Sequence, residues 1–182
     1  SIPVLSNNLL YHYLLMHSIT KLPGSIRQGL VFGLNSGIIT TAGMIAGIAQ
    51  TTPNSIYIIV AIISLAISDG FSEAYGLYIS KKAEKVNDDS VNPFYASIAL
   101  LLTKIGIVIS FLIPFLFSKD MTYFKNLYWP FLWGIFILII LDYQLSLLRE
   151  ENILIYLIPH IILLLIVMLL SKTFSKLLVK FK

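Results

Sequence analysis

Asp69 and Glu73 are the residues whose type and spacing are best suited to chemistry. They stand in the stretch A-I-S-D-G-F-S-E-A-Y-G-L-Y-I-S-K-K-A-E, Ala66 to Glu84, directly after the apolar stretch Ile56–Leu65. Four residues apart on a helix, the two carboxylates share one face, about 6 Å apart at Cβ. Ser72, Gly76 and Ser80 continue the stripe at helical spacing. An ionised side chain at the bilayer centre costs about 2.5–3.5 kcal/mol on insertion scales, so this face must meet protein or water rather than lipid. Carboxylates in that setting bind cations and carry protons. The competing use is structural: a polar seam that joins helices, its carboxyls hydrogen-bonded to Ser68, Ser72 and Asn35. Further along lie Lys104, Asp142 and His160, which read as an internal salt-bridge or hydrogen-bond set. Asp69, Asp142 and His160 would also suit acid–base work. With no paired-aspartate motif and no serine nucleophile matched to a histidine, the chain is expected not to be an enzyme.

The elements that must position these residues follow from composition. The chain has 182 residues, 57% of them hydrophobic and 12% charged, with a mean hydropathy of +0.86. A soluble domain carries about 25% charged residues. The reading is an all-α, multi-pass membrane protein with one transmembrane domain. There is no cysteine, which excludes disulfides, thiolate metal sites and cysteine nucleophiles. The net charge of +4 comes largely from loop and C-terminal lysines, for which anionic lipid is the natural partner; nothing points to nucleic acid.

Residues 1–24 form an N-terminal interfacial segment. Leu9, Leu10, Tyr13, Leu14 and Met16 supply the apolar side of a short helix, and no signal peptide is read there. His12 and His17, five apart, are poorly spaced for a shared metal. Residues 25–182 hold five spans, at about 25–50, 55–85, 93–117, 127–148 and 152–170. In the first, Gly29, Gly33 and Gly37 recur every fourth residue, as do Gly43 and Gly47, which marks a closely packed helix. The second is about 45 Å long at 1.5 Å per residue, so its basic end should reach water. Pro114 lies near the end of the third, and Tyr128, Trp129 and Trp133 form an aromatic belt at the start of the fourth. Beyond the fifth, Lys172, Lys176 and Lys180 share one face of a basic amphipathic tail expected to lie on the membrane surface. Five spans put the termini on opposite sides. Basic residues divide evenly, Lys21, Arg27, Lys81, Lys82, Lys85 and Arg149 on one side against Lys119, Lys125, Lys172, Lys176, Lys180 and Lys182 on the other; with the C-terminal tail discounted, the earlier set favours a cytosolic N-terminus.

Two segments of the chain resemble the vacuolar iron transporter family. Gly33-Leu34-Asn35-Ser36-Gly37-Ile38-Ile39-Thr40-Thr41, followed by Ala46-Gly47, is similar to the family's first-helix signature. Asp69-x-x-Ser72-x-x-x-Gly76-x-Tyr78-x-Ser80-x-Lys82-x-Glu84 is similar to its second. Asn92-Pro93 and Pro114 fit its third helix. The resemblance implies a homodimer in the cell membrane. Its first and second helices would line a pathway at the two-fold axis for Fe²⁺ or Mn²⁺ moved in exchange for protons, with no permanently bound cofactor. It also makes Gly29, Gly33 and Gly37, together with Gly43, Gly47 and Gly76, part of the dimer and helix-packing zone.

The chain departs from the family pattern at three places. Ser36 stands where an aspartate is usual and Glu73 where a methionine is usual. The segment Val86–Asn92 stands where a long glutamate-rich domain is common. The resemblance implies a metal path through Asn35, Ser36, Met44, Asp69, Glu73 and Glu84, with Asp69 and Glu73 also carrying protons. Two subunits would bring four carboxylates to one axis, and these cannot all stay ionised without a cation. A non-transporting interaction or sensor protein that keeps the fold is the alternative.

Overall fold

The computed structural model describes residues 22–52, 54–84, 92–113 and 128–181. Among them are five helices: α1 (Gly24–Ile48), α2 (Ser55–Ala83), α3 (Pro93–Ser110), α4 (Tyr128–Arg149) and α5 (Leu154–Lys180). All five are long and apolar enough to cross a membrane, and no strand occurs among the described residues. The chain is an integral, multi-pass membrane protein. The expected N-terminal interfacial helix, His12 and His17, the segment around Asp88, and Pro114 lie outside the described residues.

Local signals set the helix starts. The Asn54 side chain accepts from the Ile56 amide at 3.0 Å, and Asn92 accepts from Phe94 at 3.0 Å with Pro93 in the first turn. Each supplies an acceptor for an amide left unpaired at a helix start. The turn between α4 and α5 closes through the Glu151 amide, which donates to Ser146 carbonyl oxygen at 3.0 Å, while Glu150 adopts φ 56°. That is the six-to-one bond of a helix C-terminal motif in which a left-handed residue ends the helix.

The first helix is the centre of the bundle. It touches all four other helices, and its small residues explain why. A Cβ added at Gly29 would lie 2.1 Å from the Ala96 carbonyl oxygen. One at Gly33 would lie 2.7 Å from that of Leu100, and one at Gly37 would lie 3.2 Å from Ile107 Cγ2. Contacts that climb both helices in the same direction make α1 and α3 parallel, in near backbone contact. Further along, the position of a Cβ at Gly43 is 2.6 Å from Val167, and that at Gly47 is 3.1 Å from Ser175 Oγ, so α5 also runs parallel to α1. Ile38, Ala42 and Ile45 of α1 meet Ile58 and Ile62 of α2, Val108 of α3, Leu138 of α4 and Leu164 and Met168 of α5 in one buried cluster.

The packing bears on three expectations. The Gly29–Gly33–Gly37 row, read as part of the dimer and helix-packing zone, packs on the chain's own α3, because glycine there lets the two backbones touch. Gly76 of the same set has nothing within 4 Å of an added Cβ in the single chain. The basic tail is not a separate surface segment: α5 runs unbroken to Lys180, with no glycine or proline after Pro159 to stop it, and Ser171 and Ser175 pack on Gly47.

Candidate cation site at the junction of three helices

Asp69 and Glu73 project from α2 toward α3, where Lys104 stands eleven residues into the helix, about 16 Å at 1.5 Å per residue. The Lys104 ammonium lies 2.5 Å from Asp69 Oδ2 and 2.6 Å from Glu73 Oε2. Lys104 is 0% exposed, among the largest fully buried side chains of the described residues, between Leu100 and Val108 on the same face of α3. The carboxylates remain partly accessible, at 28% for Asp69 and 25% for Glu73. From α1, the Ser36 hydroxyl donates to Glu73 Oε2 at 2.8 Å. Next to it Gly37 faces the lysine stem, where a Cβ would make ordinary contact with Lys104 Cγ at 3.6 Å.

The arrangement is a carboxylate seat that already holds a cation. Removing one partner of a buried ion pair costs about 3–5 kcal/mol, because the survivor stays desolvated and unpaired. With all three groups ionised the formal charge is −1; without the lysine it would be −2.

The expected site residues divide accordingly. Asp69, Glu73 and Ser36 come together. Asn35 is adjacent to Ser36 in sequence, and its Oδ1 is buried without a partner among the described residues. Met44 is elsewhere: with Gly43, Gly47, Ser171 and Phe174 it lines an open cleft of about 430 Å³ between α1 and α5. Glu84 caps the far end of α2, paired with Lys81 at 2.8 Å, eleven residues and about 16 Å along the helix from Glu73. Among the described residues no group of three or more His, Asp or Glu side chains is placed to hold a metal ion.

The reading of Lys104, Asp142 and His160 as one set is also corrected. They form two separate pairs. Lys104 belongs to the α2 carboxylates, while His160 Nδ1 of α5 lies 2.7 Å from Asp142 Oδ1 of α4. Asp142 is fully buried, and its Oδ2 has no partner among the described residues. Sequence reasoning required a carboxylate for Lys104 but did not choose Asp69 and Glu73. The usable signal was that only the second span carries two acids near its middle, which one buried cation can serve at once.

Two hydroxyls near the seat bond within α1. Thr40 and Thr41 donate to the carbonyl oxygens of Ser36 and Gly37, one turn back. They thereby satisfy their own hydroxyls without competing for the site.

No curated protein and no solved structure matches the chain. The model of the VIT family matches residues 27–90, the stretch that carries Ser36, Asp69 and Glu73. That matched stretch, whose two helices hold the hydroxyl and both carboxylates of the seat, is similar to the VIT family, the vacuolar iron transporters.

Proposed function

We propose that the protein carries a divalent transition-metal ion, Fe²⁺ or Mn²⁺, across the membrane in exchange for protons, with Asp69 and Glu73 as its intramembrane ligands. The observation that carries this reading is the ion triad itself: two partly accessible carboxylates within a membrane span, arranged around one positive charge. Hard oxygen ligands suit Mn²⁺ and Fe²⁺. The VIT-family match over residues 27–90 points to metal-ion transport as the general activity.

Two carboxylates and a hydroxyl are too few to enclose an ion that takes about six ligands. A second copy would supply the rest. The outward face of α2 offers Ser64, Ser68, Ser72, Gly76 and Ser80, every fourth residue, all exposed in the single chain. Small residues at that spacing are what close helix pairing in lipid requires. The seat opens beside this stripe, so pairing along α2 would bring four carboxylates together at a two-fold axis. Basic residues Arg27, Lys81, Lys82 and Arg149 near one end of the bundle support a cytosolic N-terminal side in the cell membrane.

The test is Mn²⁺ and Fe²⁺ uptake into proteoliposomes with a pH dye inside. Wild-type protein should move metal one way and protons the other. Glu73→Gln, which keeps size but removes the anion, should abolish both fluxes while the protein stays folded. Glu73→Met should recover part of the flux, with preference moved toward softer metals. Unchanged flux in Glu73→Gln would overturn the site. A second reading, a non-transporting protein that keeps the fold, is favoured by the fact that Lys104 already fills the seat. Absence of flux in the wild type for every divalent metal would select it.

A further inference from the structure

We propose that Lys104 is a tethered competitor for the metal: its ammonium occupies the Asp69–Glu73 seat, and a divalent ion binds only as the lysine side chain withdraws. The proposal rests on the metal-binding reading of the seat. Three observations support it. The ammonium is within 2.6 Å of both carboxylates, in the space that a coordinated ion would need. The charge count is short by one for a divalent ion while the lysine is present, and matches once it leaves. The seat is open to an incoming ion while the lysine is in place, because Asp69 and Glu73 stay 28% and 25% exposed although Lys104 is fully buried. Lys104 is therefore a specificity-determining residue of the site rather than only a counter-ion that holds α3 to α2. It sets a threshold: an ion must outcompete a buried, covalently attached cation, which a singly charged ion of modest affinity does poorly.

Substitutions at Lys104 separate the two roles by direction. Lys104→Met keeps an unbranched stem of similar length and frees the seat. Lys104→Arg keeps a permanent cation with a planar fork that suits two carboxylate oxygens. If the lysine competes, Lys104→Met binds Mn²⁺ tighter than wild type by about tenfold or more, and Lys104→Arg binds it weaker by about tenfold or more. If the lysine serves structure alone, the order inverts: arginine preserves wild-type binding and methionine loses it.

The measurement is Mn²⁺ binding to the full chain in detergent micelles, by electron paramagnetic resonance of free Mn²⁺. Circular dichroism and size exclusion report folding. Should Lys104→Met fail to fold, Lys104→Arg still decides, since wild-type affinity in that variant overturns the proposal. Failure of all three proteins to bind Mn²⁺ overturns it too. Tighter binding in Lys104→Met without flux in the wild type leaves this inference standing and removes the transport reading. Wild-type flux with no gain of affinity in Lys104→Met does the reverse.

Discussion

Ser36 Oγ donates to Glu73 Oε2 at 2.8 Å, so the two positions at which the chain departs from the family's helix signatures touch each other. A carboxylate that the resemblance places on the first helix is carried here by the second, across the same contact. A hydrogen bond to a charged acceptor contributes about 1.5–3 kcal/mol. Ser36→Ala should lower the apparent melting temperature in detergent and weaken Mn²⁺ binding several-fold without abolishing it. Binding unchanged in Ser36→Ala would mean that the hydroxyl does not help to hold Glu73 in place.

The glycines of α1 should rank by the space that an alanine would find. Gly29→Ala meets the Ala96 carbonyl oxygen, a backbone atom that cannot step aside. Gly37→Ala meets side-chain rather than backbone atoms, Ile107 Cγ2 being the nearest at 3.2 Å. Overpacking costs about 1–3 kcal/mol, and Gly29→Ala should stand at or above the top of that range. Gly76→Ala, open in the single chain, should be neutral or gain up to about 1 kcal/mol from helix propensity. Thermal unfolding of the three variants in one detergent checks the order. A loss in Gly76→Ala that appears only under conditions of self-association would locate a subunit contact on α2.

Asp142 and His160 join α4 to α5 at 2.7 Å, with the carboxylate fully buried. His160→Ala leaves that buried carboxyl without its hydrogen-bond partner and should destabilise by about 1–3 kcal/mol, the cost of an unsatisfied buried polar group. Asp142→Leu combined with His160→Leu removes both polar groups and should be far milder than the single change. Equal loss in single and double variants would show that packing volume, not pairing, is at stake there.

Glu150 has φ 56° in the turn between α4 and α5, the only non-glycine residue with positive φ among those described. A residue with a Cβ in the left-handed region costs about 1–2 kcal/mol relative to its usual conformation, and glycine is free of that cost. Glu150→Gly should raise the melting temperature in detergent and leave Mn²⁺ binding unchanged. A fall in stability would mean that the glutamate side chain contributes more than the backbone strain removes.

Much of the fold was legible in the sequence, because a lipid solvent imposes rules that a single chain displays. Every backbone group must be paired within the segment, so apolar runs of about 20 residues read directly as helices. Asn54 and Asn92-Pro93 mark their starts, and Pro23-Gly24 precedes the first. The same scarcity of tolerated charge exposed Asp69 and Glu73 as a site, since acids inside a span must face protein or water. What the sequence left open was which buried groups meet. Spacing along a helix gives the face a residue occupies, not the neighbour that covers it. The Gly29–Gly33–Gly37 row announced a close approach, and only the packed bundle assigned that approach to α3 instead of a second subunit. Lys104 announced the need for an acid, and only the parallel pairing of α1 with α3, which brings Lys104 beside α2, chose Asp69 and Glu73 over Asp142. The physical reason is common to both cases: local sequence sets helix period and burial, while the partner across an interface depends on the relative rotation and register of whole helices, which the summed packing of all five decides.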